Sequence, residues 1–415
     1  MRLIHTSDWH LGHRFHGRQR HEEQGRFLDW LADLIETEQF DALLVAGDVF
    51  DTTTPGSRAQ SLYYRFLHRL AGSSCRHVVI IGGNHDSPAL LEAPRDLLHQ
   101  LSIHVVGAVD TSVHKEILIL RDADNQPELL VCAVPFLRDR DIRLAAAGET
   151  LEEKGQQQLE GIREHYRQIC LEAEQQRQQL DPAPPLVVMG HLFVAGGKTM
   201  EGDGVRDLAI GGLSRIDGGA FADSIDYLAL GHLHLGQLVA GCATRRYCGA
   251  PLPMSFKEAS QCKQILAVTC AGRTVTVEPI PVPIFQPLAS LRGDRDALLQ
   301  GMEQLKAAGS TAWVELQYEG EEVLPNLRQQ MEDAVEDSGL TILRIRNSRI
   351  YDFALQQARE AESLDDLTVM EVFERCLDSG GIEATQRPLL REALTEIIET
   401  LDEEDSETPA ARNSS

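Results

Sequence analysis

Short apolar runs alternate with stretches of helical spacing from residue 1 to about residue 277. The runs at 3–5, 42–46, 78–81, 186–189 and 227–230 read as β-strands. Between them, 24–38 sets Phe27, Leu28, Leu31, Leu34 and Ile35 on one side of a helix, and 57–71 does so with Leu62, Phe66, Leu67 and Leu70. Such alternation predicts a layered α/β domain, in which ligands sit at the carboxyl ends of strands. Residues 150–180 are rich in Gln and Glu and stop at a proline cluster, which predicts one long solvated helix.

The pattern changes after that. Residues 279–287 hold four prolines and read as an extended linker. Helical spacing at 294–308 and 323–337, with strand-like runs at 312–318 and 341–347, predicts a small α+β unit. Two amphipathic helices follow within 364–401, broken near Ser379-Gly380-Gly381. The expected organisation is therefore an α/β domain over 1–278, an α+β domain over 286–348, a helical partner-binding segment over 352–401 and an acidic, disordered tail over 402–415.

Composition narrows the function classes. The formal net charge of the 415 residues is −25, which argues against a freestanding nucleic-acid binder but not against a metal-dependent phosphodiesterase. The eight cysteines form no Cys-x-x-Cys pair, so neither a zinc ribbon nor a redox pair is expected. The chain starts without an apolar secretory core and holds no run long enough for a membrane span, so a cytoplasmic protein with no membrane association is expected.

The chemistry lies at the strand ends. Asp8-Trp9-His10, Gly47-Asp48-Val49-Phe50-Asp51, Gly83-Asn84-His85-Asp86, Gly190-His191 and Gly231-His232-Leu233-His234 each follow one of the five apolar runs. Asp8, His10, Asp48, Asn84, His191, His232 and His234 supply two carboxylates, one amide and four imidazoles. That oxygen/nitrogen set suits Mn²⁺, Fe²⁺ or Zn²⁺ better than Mg²⁺ or Ca²⁺. Seven ligands exceed one tetrahedral site and suit two divalent ions sharing Asp48. A pair of ions about 3.5–4 Å apart clamps a phosphate and activates water for in-line attack. Asp8 and His10, two residues apart, share one face if the strand continues through them, as do His232 and His234. His85 then points away from the ligands, as an acid for the leaving group, with the Asp51 carboxylate to orient it. Asp86 is expected to cap the turn before Ser87-Pro88.

The ordered set Asp-x-His, Gly-Asp-x-x-Asp, Gly-Asn-His-Asp, Gly-His and Gly-His-x-His resembles the calcineurin-like metallophosphoesterases. More narrowly, 5–12, 46–51 and the run Tyr247 to Phe256 (Tyr-Cys-Gly-Ala-Pro-Leu-Pro-Met-Ser-Phe) are similar to the nuclease subunits of bacterial SbcCD-type complexes. The resemblance implies an α/β two-sheet metallophosphoesterase sandwich, a small α+β DNA-capping domain and a C-terminal helical pair. It implies two manganese ions, one on Asp8, His10, Asp48 and His234, the other on Asp48, Asn84, His191 and His232, with His85 and Asp51 as catalytic residues. The implied activities are ATP-dependent double-strand exonuclease, ATP-independent single-strand endonuclease and hairpin opening, in DNA repair, recombination and replication. The implied partners are DNA and an SbcC-type, SMC-like ATPase, in a heterotetramer built on a homodimer through 57–71 and 89–100. The basic residues expected in the cleft are Arg14, Arg18, Arg20 and Lys257.

Two other readings compete. A phosphomonoesterase or protein phosphatase uses the same scaffold, but protein phosphatases usually read Gly-Asn-His-Glu and carry an Arg beside the bridging Asp. Here Asp86 follows His85, and Thr52-Thr53 follow Asp51. A non-catalytic scaffold is disfavoured by intact ligands at all seven positions.

Overall fold

The computed structural model describes residues 1–110, 112–143, 150–194, 221–320, 324, 326–347 and 391. The expected helical pair at 352–401 and the tail at 402–415 thus lie outside the described residues, Arg391 apart. The described chain divides into two compact units, Met1–Ala289 with Thr311–Trp313, and Ser290–Ser310 with the chain from Val314 onward.

The first unit contains two six-stranded sheets. One runs in the order Thr274–Pro281, Gln264–Ala271, Arg2–Thr6, Ala42–Ala46, His77–Ile81, Ile103–Val106. Its four N-terminal strands are parallel, and Gln264–Ala271 joins antiparallel to Arg2–Thr6. The other runs Gln237–Val239, Cys242–Tyr247, Tyr227–Gly231, Leu186–His191, Pro127–Ala133, Ile117–Arg121. At its centre, Cys242–Tyr247, Tyr227–Gly231, Leu186–His191 and Pro127–Ala133 are parallel.

Period-two alternation explains the layering. Leu3, Leu44, Val79 and Ile81 of one sheet pack in one buried cluster with Val131, Val187, Met189 and Tyr227 of the other. The opposite faces, Ile4, Leu43, Val45 and Ile80, pack on Phe27, Leu31, Leu62 and Phe66 from the helices His21–Glu38 and Ser57–Leu70. Both faces of the central strands are buried, so they read as continuous apolar runs rather than alternating ones. The result is the expected two-sheet α/β sandwich.

Two expectations need correction. The helix Leu151–Arg177, capped by Thr150 on the Glu153 N–H at 3.2 Å, is not merely solvated. Ile162, Tyr166, Ile169, Cys170 and Ala173 bury one stripe of it against Leu130, Val188 and Leu228. Residues 279–281, assigned to the linker, end the strand Thr274–Pro281 instead. That strand is a sheet edge, where proline's missing N–H removes no ladder bond.

Apart from Leu288, Ala289 and Trp313, the second unit holds the strands Leu288–Gly293, Trp313–Tyr318 and Thr341–Asn347, with Trp313–Tyr318 in the middle. Helices Arg295–Ala307 and Leu327–Val335 bury Leu298, Met302, Leu327 and Met331. Asp294 caps the first of them on the Ala297 N–H at 2.9 Å. Among the described residues, no helix is long and apolar enough to cross a membrane.

Candidate metal centre

The strands of both sheets end on one buried cluster. Past Arg2–Thr6 the chain does not stay extended. Asp8 N–H donates to Gly47 O at 3.0 Å and His10 N–H to Asp48 O at 3.1 Å, so 8–11 runs alongside 47–50. Asp8, His10 and Asp48 take left-handed φ values of 54°, 43° and 51°, and His232 takes 97°. The expectation that an extended strand aligns Asp8 with His10 is therefore wrong in its geometry. Turns aim both side chains inward. Four non-glycine residues with φ in this range, all in one cluster, mark a site held strained by its surroundings.

The glycines before these residues make room. A Cβ at Gly83 would stand 2.1 Å from Asp48 Oδ1, and one at Gly231 would stand 1.9 Å from Ala46 O. The loops interlock too closely for any side chain there.

All seven predicted ligands meet. Asp48 Oδ2 lies 3.6 Å from His10 Nε2 and 3.3 Å from His191 Nε2. His10 Nε2 and His234 Nε2 are 3.2 Å apart. Asn84 Oδ1 lies 3.0 Å from His191 Nε2 and 3.0 Å from His232 Nδ1. The carboxylate of Asp8 accepts from the His232 N–H at 3.0 Å and from the Ser7 hydroxyl. Three groups of mutually close ligand atoms result: Asp8 with His10 and His234, Asp8 with Asp48 and His191, and His10 with Asp51 and His85. The seven predicted ligands are buried except Asn84, which is partly exposed, as are Asp51 and His85.

The donor set fits cations. His191 Nδ1–H donates to Ala46 O at 2.8 Å, which leaves Nε2 facing two oxygens, Asn84 Oδ1 and Asp48 Oδ2. Burial opposes charge on His191, but the charge and hydrogen bond of Asp48 outweigh it and raise its pKa to about 9. Asp48 is held far below the usual carboxylate range, because His191 and His10 outweigh its own burial. Burial, helped by Asp48, pushes Asp8 up to about 6. Burial and then His191 push His232 down to about 3, while burial and His10 push His234 well below its ordinary value. Both stay neutral with lone pairs available, as a metal ligand requires. Among the described residues, His234 Nδ1 has no hydrogen-bond partner.

His85 sits beside this cluster, its ring 5.0 Å from that of His10 and its main-chain N–H donating to Asp48 Oδ1 at 3.0 Å. Asp51 is placed differently from expectation. Its main-chain carbonyl, not its carboxylate, meets His85 Nδ1 at 2.8 Å. The carboxylate faces His13 Nδ1 at 3.0 Å and His10 Nδ1 at 3.4 Å. Asp86 does not cap the next turn; the Ser87 hydroxyl does, on the Leu90 N–H at 3.4 Å. Asp86 is fully buried and accepts from the N–H groups of Val49, Phe50 and Gly83 at 3.1, 2.9 and 2.9 Å.

Sequence reasoning missed three contributors. His13 pairs with Asp51. Phe136 places its ring 6.3 Å from that of His191, and Arg138 donates to Asp86 O at 3.1 Å. Phe136 and Arg138 follow Pro127–Ala133, a sixth strand end whose Val-Pro-Phe-Leu-Arg carries no metal-binding type to flag it. Of the expected cleft cations, Arg14, Arg18 and Lys257 are exposed. Arg20 is not available: it is buried and bonded to Glu23 and to Pro253 O.

This fold and this centre define a calcineurin-like phosphoesterase, and the model of that family matches residues 1–236. A second family model, described as the type 5 capsule protein repressor C-terminal domain, matches 284–380. The chain is 36% identical over 404 residues to the SbcD subunit of nuclease SbcCD from Escherichia coli K12, covering 97% of this chain and 98% of that protein. It is 34% identical over 298 residues to the corresponding protein of Rhodobacter capsulatus, covering 70% and 71%, and 32% identical over 323 residues to that of Bacillus subtilis 168, covering 76% and 78%. The chain belongs to this family of metal-dependent nuclease subunits.

Proposed function

We propose that the chain cuts DNA phosphodiester bonds with two divalent ions as the nuclease subunit of an SbcCD-type complex. The observation that carries this reading is the position of Asp48 Oδ2, between His10 on one side and His191 on the other. One ion would be held by Asp8, His10, Asp48 and His234, the other by Asp48, Asn84, His191 and His232. The ions, when bound, supply Lewis acidity and an activated water. An oxygen/nitrogen set without thiolate suits Mn²⁺, Fe²⁺ or Zn²⁺, and Mn²⁺ is the ion that the family resemblance implies. His85, anchored through Nδ1 to the carbonyl of Asp51, is the proton donor to the leaving oxygen. Asp51 acts in this scheme through its carbonyl on His85 and its carboxylate on His10 and His13.

The relatives' shared name supports an SbcC-type ATPase partner. We assign ATP-dependent exonuclease activity on duplex ends, ATP-independent endonuclease activity on single strands, and hairpin opening. Residues 286–348 would cap the DNA and 352–401 would bind the ATPase. Tyr64, Leu97 and Leu101 expose apolar surface on or beside the two segments assigned to the homodimer of the heterotetramer, with Leu97 67% exposed.

The test is cleavage of a hairpin-ended duplex in Mn²⁺, with and without the ATPase subunit and ATP. Single strands should be cut without ATP and duplex ends only with both additions. Release of phosphate from phosphoprotein, with DNA intact, would instead assign the site to a phosphatase.

A further inference from the structure

His10 and His234 face each other at 3.2 Å, yet they come from loops 224 residues apart in sequence. A continuous polar path of buried and half-buried groups joins their main-chain carbonyls. His10 O accepts from Gln24 Nε2 at 2.9 Å, while Gln24 Oε1 accepts from the Gly12 N–H at 3.1 Å. Gln24 lies in the first turn of His21–Glu38, and its N–H donates to Arg20 O at 2.9 Å. The Arg20 guanidinium pairs with Glu23, Nε to Oε2 at 2.7 Å and Nη2 to Oε1 at 3.0 Å, and donates from Nη1 to Pro253 O at 2.7 Å.

The path continues through the segment after Gly249. The Met254 N–H donates to Glu258 Oε2 at 3.2 Å, and the Ser255 hydroxyl to Glu258 Oε1 at 3.0 Å. Glu258 pairs with the Lys263 ammonium, which also donates to His234 O at 3.4 Å. Ala250 N–H reaches the same carbonyl at 3.1 Å. Arg20, Glu23, Gln24, Glu258 and Lys263 are all buried, between 1% and 7% exposed. Two buried ion pairs are a poor route to stability, since apolar packing of the same volume usually serves as well or better. Their value lies in fixing geometry. The other imidazoles are held otherwise: His191 by Ala46 O, and His232 through its N–H on Asp8.

We propose that Lys263, Glu258, Arg20 and Gln24 are positioning residues for a single ion, the one facing His10 and His234, and leave the ion facing His191 and His232 untouched. The run Tyr247 to Phe256 then has a purpose: its end carries the Pro253, Met254 and Ser255 contacts of this path. The inference rests on the two-metal reading above.

Full-length apoprotein titrated with Mn²⁺ by calorimetry, with bound metal counted by elemental analysis, tests it. Wild type should take two ions; fewer than two would sink the two-metal reading itself. Lys263→Met should keep one ion and bind the other about tenfold or more weakly, the scale on which outer supports act on metal sites. Lys263→Met with Glu258→Gln avoids leaving a buried carboxylate unpaired, and should show the same single loss. In a His191→Ala background, where only the His10/His234 ion remains, the paired change should weaken that ion too. Equal weakening of both ions, or no change in either, overturns the proposal.

Discussion

The carboxylate of Asp86 accepts from the Phe50 N–H at 2.9 Å and so joins the loop carrying Asp48 to the loop carrying Asn84 and His85. It holds Val49 and Gly83 in the same way. An amide there keeps an acceptor on one side only and turns an NH₂ group toward at least one N–H. Asp86→Asn should therefore destabilise by about 1–3 kcal/mol, the cost of a buried unpaired polar group, and weaken metal binding. Thermal unfolding of the apoprotein and Mn²⁺ titration check this; wild-type values in both would show that the clasp is dispensable.

His85 and Asp51 separate two roles that proximity blurs. His85 touches the cluster through its ring beside His10, and removing the ring should cost about 10²–10⁴ in rate, the usual range for an acid–base group. Both ions should remain in His85→Ala by elemental analysis. Asp51→Asn keeps the carbonyl that holds His85 Nδ1, so its loss in rate should be smaller and should come with a changed pH profile through His10. A His85→Ala protein that loses an ion would make His85 a ligand.

Three arginines near the site diverge by burial. Arg14 and Arg18 are exposed on the hairpin of Arg14–Phe15 and Arg18–Gln19, and Arg18 lies 5.8 Å from the Trp313 ring centre. If both neutralise phosphates, the double Arg14→Ala/Arg18→Ala variant should bind DNA more weakly with a salt slope shallower by about 2, so the deficit shrinks as salt rises. Arg20→Ala should act on the fold instead. It strands Glu23 in the core, at a cost of roughly 3–5 kcal/mol, and should lower the unfolding temperature while Arg14→Ala/Arg18→Ala leaves it in place.

How far the sequence predicts this molecule follows from the range of each signal. Strand ends and their ligand types are local: an apolar run, a glycine, then Asp, Asn or His. The turns that aim Asp8 and His10 are set by bonds to Gly47 and Asp48, about forty residues away in sequence, so an extended strand was the natural and wrong expectation. Arg20 reads as a surface cation because its partner Pro253 O is more than two hundred residues away. The stripe Ile162, Tyr166, Ile169 and Ala173 has helical spacing, but it is narrow and surrounded by Gln and Glu, so the burial of that helix face was hidden. Phe136 and Arg138 gave no chemical type to notice. Long-range contacts decided each case.

The pH dependence of stability offers a check away from the metal centre. His104 lies in the edge strand Ile103–Val106, its ring 5.3 Å from that of His99 and 6.3 Å from that of His77. Burial, then the charges of His99 and His77, lower its pKa from 6.5 to about 4. A histidine depressed in the folded state takes up its proton more readily when unfolded. Its penalty is absent above pH 6.5, grows as the pH falls, and is complete below about pH 4. At pH 5 it should reach about 2 kcal/mol. His104→Gln removes this titration. Urea unfolding in EDTA, which keeps metal out of the comparison, should show wild type losing more stability than His104→Gln between about pH 7.5 and pH 5. His5, held near pKa 3 chiefly by burial, titrates in both proteins and leaves a common residual slope. Equal losses in the two proteins would mean that His104 protonates in the folded state without penalty.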